Sequence, residues 1–371
     1  MLKSLLLVLL TTFSAQAQFT LRGRVINDVD EQPVPFCSVF LANTTKGTTA
    51  DEHGNFVLPD LPAGRFDLVV SSVGFETLAS TLTTNQTASL LVRIRPSANL
   101  LAEVHVRASR DPEWLENLAT FKRFFIGTSK VAQNCQIVNQ NSLWFDDDRA
   151  ARRFTAGARE PLVIENKALG YRIRYVLEQF VYEYSRQYVS YLGYPVYEPM
   201  KPRNRRESLR WEKARKAAYL GSSMHFMRAL HAGRTVEEGF EIHRVLERVD
   251  STKRGGQWQV KRARYLLKDA LPATLLLNDR VSTDSTTVLS FENMIQVTYT
   301  GEKEPPEYLR SLSPFSTPGV GGPQTSIIYL TEPSVTIERN GNFYNPLGLA
   351  IEGYWGWEKM AELLPLTYLT D

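Results

Sequence analysis

The sequence predicts a β-rich chain of two domains, an N-terminal β-sandwich followed by a mixed α+β domain. Between 19 and 94, short runs alternate apolar and polar residues with period two and are separated by turn residues, the mark of antiparallel sheet. From about 111 onward, helical and strand periodicities interleave. The length of 371 residues leaves room for two or three domains.

Residues 1–17 stand apart from the fold. Lys3 supplies a positive start, Leu5 to Leu10 an apolar stretch, and Ala15-Gln16-Ala17 a small-residue cleavage site before Gln18. Together they read as a signal peptide, so an exported protein is expected, periplasmic, outer-membrane associated or secreted. The apolar stretch is short for a membrane span. No cysteine follows the cleavage point to carry a lipid, and no later stretch is apolar enough to cross a bilayer.

The sandwich is expected over 18–95. Phe66, Leu68 and Val70 point one way and Asp67, Val69 and Ser71 the other; Leu90, Val92 and Ile94 alternate with Leu91, Arg93 and Arg95. Asp51 to Asn55 predicts a hairpin turn in which Gly54 takes positive φ. Asp51, Glu52 and Asn55 lack the spacing and the bidentate acid of a calcium loop. Pro59, Pro62 and Gly64 break the next connection.

A linker over 96–110 leads to the α+β domain, 111–371. A helix is expected from Pro112 to Phe125, with Trp114, Leu118, Phe121 and Phe125 near one face. Strands are expected at Leu162–Asn166, Tyr171–Leu177, Phe180–Tyr184, Tyr188–Leu192, Phe240–Val249, Trp258–Leu267 and Ile327–Leu330. A helix from Glu207 to Tyr219 ends near Gly221, and Ser222 or Ser223 caps a second that Gly233 closes. The segment from Trp355 reads as an amphipathic helix stopped by Pro365.

The order Phe19-Thr-Leu-Arg-Gly-Arg-Val, Gln32-Pro-Val-Pro-Phe-Cys-Ser-Val-Phe-Leu, Gly47-Thr-Thr-Ala-Asp-Glu-His-Gly-Asn-Phe and Leu61-Pro-Ala-Gly-Arg-Phe resembles the carboxypeptidase regulatory-like domain. That resemblance implies a transthyretin-like, Greek-key sandwich that binds, spaces or docks and performs no chemistry. Leu101-Ala-Glu-Val-His-Val-Arg-Ala is similar to the strand after this module in TonB-dependent transporters. A barrel of roughly 22 strands of about 10 residues needs more chain than remains. Asn166-Lys-Ala-Leu-Gly-Tyr, Gly221-Ser-Ser-Met-His-Phe and Gly353-Tyr-Trp-Gly-Trp-Glu resemble segments of exported Bacteroidetes carboxypeptidase-like regulatory domain-containing proteins. That family implies no established activity and no functional residue to carry over.

The residues themselves give little support to catalysis. A zinc carboxypeptidase needs His and Glu close in sequence and a distant His, whereas none of His53, His105, His225, His231 and His243 begins His-x-x-Glu or His-Glu-x-x-His. There is no Gly-x-Ser-x-Gly elbow and no phosphate loop. No metal or cofactor is expected. His225, beside Ser222 and Ser223 at a helix start, is the one candidate base, against its reading as a packed, hydrogen-bonded histidine. Glu165, Glu178 and Glu183 are acids whose separation the sequence does not give. Cys37 and Cys135 fall in different domains and read as free, unreactive thiols.

For binding, Tyr354, Trp355 and Trp357 offer flat faces for sugar rings or anchors for a core. The tyrosines between 171 and 194 read as cross-strand pairs. The net charge is only +3, but residues 201–216 hold eight basic against two acidic residues, Arg205, Arg206 and Arg210 among them. Such a run suits acidic lipid, glycan or nucleic acid; export disfavours nucleic acid. Its other reading is a solvated helix face with Glu212 paired to Lys216. The leading expectation is a non-enzymatic cell-envelope protein whose sandwich binds glycan or protein. The alternatives are an exported hydrolase of envelope peptide or glycan and an accessory to a TonB-dependent nutrient transporter.

Overall fold

The computed structural model describes residues 19–84, 88–97, 111–254, 257–283, 286–313 and 321–370. The expected signal peptide and most of the expected linker, 98–110, lie outside them. Three apolar cores organise the rest.

The first core lies inside a sandwich. Its strands are β1 (Phe19–Asn27), β2 (Ser38–Leu41), β3 (Gly47–Thr49), β4 (Asn55–Leu61), β5 (Gly64–Ser71), β6 (Leu78–Thr84) and β7 (Ala88–Ile94). One sheet runs β4-β1-β7 and the other β3-β2-β5-β6. Leu21, Val25, Phe56, Leu58, Val92 and Ile94 of the first meet Val39, Leu41, Phe66, Leu68 and Val70 of the second. The expected alternation therefore holds. The 51–55 turn is not a hairpin, because β3 and β4 belong to different sheets. It is a corner: the Asp51 carboxylate accepts from the amides of His53 (2.9 Å) and Asn55 (2.8 Å), with Gly54 at φ 76°. Those bonds hold the Asp51 carboxyl below its ordinary range, the Asn55 amide most of all.

The second core joins α1 (Pro112–Phe125) to a sheet of β8 (Cys135–Ile137), β9 (Leu143–Asp148), β10 (Arg153–Ala158), β11 (Leu162–Asn166), β12 (Tyr171–Glu183) and β13 (Tyr188–Pro199). Asp111 caps α1 by accepting from the Glu113 amide, and Trp114, Leu118, Phe121 and Phe125 form its buried stripe. Phe121 lies 4.9 Å from Phe180, and Phe125 meets Tyr175 edge-on at 4.9 Å. The segments expected at 171–177 and 180–184 are one strand, β12, with a register shift between Leu177 and Gln179. β13 runs along one edge of β12, and β11 and β10 follow one another along the other.

The rest of the chain forms α2 (Arg205–Tyr219), α3 (Ser223–His231), β14 (Phe240–Arg254), β15 (Gln257–Ala270), β16 (Thr286–Leu289), β17 (Met294–Lys303), α4 (Pro306–Leu312), β18 (Pro323–Leu330), β19 (Val335–Glu338), β20 (Phe343–Tyr344), β21 (Leu349–Gly353) and α5 (Tyr354–Trp357), most of them around the third core. Of these, α2 packs mainly on the second core and α3 on the third. One sheet runs β15-β14-β17-β18-β21 and a smaller one β16-β19-β20.

The tail corrects the sequence reading. α5 ends at Trp357, well short of Pro365. The amides of Met360 and Ala361 instead reach the carbonyls of Phe125 and Ile126 at 3.0 and 3.3 Å. Those carbonyls lie at the end of α1 and lack helical partners. Met360, Ala361 and Leu364 then seal the second core, so tertiary bonds outweigh local helix preference.

The sandwich is docked onto the sheet of the second core. Phe40, Ala42 and Val69, on the outer face of β3-β2-β5-β6, pack against Val176, Val196 and Tyr194. Phe40 is 2% exposed and Val69 0%. Backbone bonds stitch the seam: Asn43 N–H to the Pro195 carbonyl at 2.7 Å, Tyr197 N–H to Thr44 at 2.9 Å, and Leu366 N–H to Asn43 at 2.6 Å. Arg174 Nη1 donates to Ser38 Oγ at 3.0 Å, and Arg65 lies 4.0 Å from the centre of the Tyr344 ring.

Candidate functional site

With one outer face of the sandwich covered, the other is open. It belongs to β4-β1-β7, and its cross-strand register is fixed: Arg22 stands between Val57 and Ser89, and Arg24 between Asn55 and Leu91. All six side chains are exposed, because the residues between them fill the core and sheet side chains alternate. Gly23 tightens the inner side, since a Cβ there would come within 2.6 Å of the Phe56 ring.

The face forms a shallow trough of about 510 Å³ lined by these residues. Val57 (43% exposed) and Leu91 (59%) give it apolar patches. Arg24 Nε donates to the His53 carbonyl at 3.0 Å, which steadies that side chain. Beside the trough, Arg93 pairs with Glu31 and Arg95 with Asp28, both at 3.0 Å. Arg22 has no ion-pair partner among the described residues. A sheet face with apolar patches and planar guanidiniums can receive a flat polar ligand bearing carboxylate or phosphate. These residues were not singled out from sequence, although Arg22, Arg24 and Leu91 sit where alternation assigns the outer face.

The residues that were singled out are placed otherwise. His225 is 3% exposed. Its Nδ1 accepts from the Gly221 amide at 3.1 Å, so the neutral ring carries its proton on Nε2, 3.2 Å from Glu238 Oε2. Burial lowers its pKa, and the Glu238 hydrogen bond opposes that. Tyr219, Phe240 and Tyr299 surround the ring, and Ser222 caps α3 by accepting from the His225 amide at 3.2 Å. His231 Nδ1 lies 2.8 Å from Thr287 Oγ1, and His53 is exposed beside Glu52.

The acids are not gathered. Glu165 pairs with Arg172 at 2.6 Å, Glu183 lies 3.5 Å from Arg186, and burial raises the Glu178 carboxyl. Among the described residues no group of three or more His, Cys, Asp or Glu is placed to hold a metal.

Trp355 is core: its Nε1 donates to the Gly221 carbonyl at 2.6 Å. Tyr354 is buried beside Tyr308 and half-buried Trp357. Cys37 and Cys135 are free; burial raises both thiols, Cys135 to about 12. Arg205, Arg206 and Arg210 lie exposed on α2.

Two sheets around one core, one outer face docked and the other open, make β1 to β7 a β-sandwich packed against the rest of the described chain. Residues 21–106 match the family described as CarboxypepD_reg-like domain, so the chain carries a carboxypeptidase regulatory-like domain. No curated protein matches the chain.

Solved structures align only in part. A cohesin–X-dockerin complex of Acetivibrio cellulolyticus is 17% identical over 20% of this chain and 56% of that one, with a TM-score of 0.19. The 3-chlorocatechol 1,2-dioxygenase of Rhodococcus opacus is 14% identical over 22% and 61%, at 0.18. Neither is spanned over two thirds of its length. A Bacteroides uniformis protein provisionally described as carbohydrate binding is 7% identical over 49% and 79%, at 0.19. At these scores the likeness carries no functional weight. No helix among the described residues is long and apolar enough to cross a membrane.

Proposed function

We propose that this is a non-enzymatic binding and docking protein of the cell envelope, in which the sandwich holds glycan or protein on its β4-β1-β7 face. The observation that carries this reading is the asymmetry of the sandwich. Its β3-β2-β5-β6 face is sealed against β12 and β13, while Arg22, Arg24, Val57 and Leu91 remain exposed around the trough. The regulatory-like module over 21–106 agrees with a binding role. A hydrolase acting through His225 would need a group open to substrate, and both ring nitrogens of that buried residue are already engaged.

The test uses the full chain on an array of envelope polysaccharides and in a pull-down from solubilised envelopes. Arg22→Glu with Leu91→Asp should abolish capture while leaving the melting temperature unchanged, because both side chains are exposed. Capture that survives this variant would overturn the assignment of the face.

A further inference from the structure

Helix α2 presents a second surface that the sandwich does not explain. Its inner side is Trp211, whose Nε1 donates to the Lys167 carbonyl at 2.9 Å, and Glu207. Arg215 is fixed inward by the carbonyls of Leu169 (2.7 Å) and Gly170 (3.1 Å). The opposite side carries Arg205, Arg206, Leu209, Lys213 and Lys216, all exposed. At the helical repeat they fall within an arc of about 100° and along about 16 Å of axis.

The nearby acids offset their charge only in part. Glu207 is held by Arg203 at 2.9 Å and Arg210 at 3.2 Å, which draw its carboxyl down to about 2. Glu212 accepts from Ser208 Oγ at 2.8 Å, and the ion pair expected with Lys216 is not formed among the described residues. Four cations thus surround a leucine that is 53% exposed.

We propose that this face binds an anionic membrane surface, the cations meeting phosphate headgroups and Leu209 entering the acyl boundary. A soluble polyanion would satisfy the charges but leave Leu209 in water, whereas a bilayer accommodates both. The face is a convex helix side, suited to lying on a plane.

The full chain is sedimented with vesicles of phosphatidylcholine alone or mixed with phosphatidylglycerol. Binding is expected only to the mixed vesicles, and is lost near 1 M salt, where the screening length falls to about 3 Å. Arg206→Gln with Lys213→Gln should lower the partition coefficient about 25-fold, about fivefold per charge. Leu209→Ser should lower it further, by a factor that stays the same as salt is raised over the range in which binding persists. An unchanged melting temperature shows that the variants stay folded. Absence of binding at low salt, or binding untouched by the double variant, overturns the proposal. So does capture by heparin or polyphosphate without vesicle binding, which assigns the face to a soluble polyanion.

Discussion

Phe40→Ala tests whether the sandwich and the second core are one cooperative body. The ring is 2% exposed, yet it belongs to the seam and not to the sandwich core. Truncating a buried phenylalanine costs about 3–5 kcal/mol, and here the loss falls on docking. The chain provides its own reporter: its six tryptophans all lie beyond residue 113, so the sandwich has none. Urea unfolding followed by tryptophan fluorescence should show a transition weakened by about 3 kcal/mol or more, although the substitution lies in the tryptophan-free part. Val196→Ala removes the facing side chain. The two changes combined should depart from additivity by about 1–2 kcal/mol, since groups in contact couple. A tryptophan transition left in place by Phe40→Ala, or strict additivity, would refute the seam as a stabilising interface.

Other consequences can be checked in the same assay. Asn204 caps α2 by accepting from the Glu207 amide at 3.0 Å, so Asn204→Ala should cost about 1 kcal/mol. His225→Gln should cost about 1–3 kcal/mol by disturbing buried hydrogen bonds. Because the folded pKa of His225 is depressed, its contribution is present above the ordinary histidine value and is lost as pH falls through the folded one. Burial pushes Glu362 up to about 7, against its bonds from Ser129 and the Lys359 amide. Its protonated form therefore favours the fold below the ordinary carboxylate range, and that contribution is lost as pH rises through 7. Between pH 5 and 8 the native protein should lose about 2–3 kcal/mol relative to Glu362→Gln; parallel pH profiles would count against this. Half-buried Glu358 and Lys359, the latter lowered to about 8, titrate beside it and broaden the change.

What the sequence disclosed was mostly what neighbouring residues decide. The stripe of α1 and a serine cap on α3 are local patterns; the stripe formed as read, and of Ser222 and Ser223 it is Ser222 that caps. β9 and β10 escaped notice because Asp146, Asp147 and Asp148 and the glycine at 157 hide their strand character. The tail was misread because its backbone answers to α1, far away in the chain. The seam did leave a trace: Phe40 and Val69 are apolar on a face that alternation assigns to solvent. Nothing local distinguished a covered outer face from an exposed hydrophobic residue, which is ordinary on protein surfaces. The open trough was equally faint, since nothing local to Arg22 and Arg24 shows which residues of the neighbouring strands stand beside them.

The return of Met360, Ala361 and Leu364 to the second core, and of Leu366 to the seam, has a consequence for biosynthesis. Phe121, Phe125 and Phe180 leave the ribosome long before the residues that close over them. At ordinary elongation rates the stretch between 199 and 360 takes roughly ten to thirty seconds to make. Throughout that time the nascent chain carries an unsealed aromatic core and a sandwich without its last clamp. A holdase that covers exposed aromatics would find its substrate in that interval, and release would wait on the final residues of the seam.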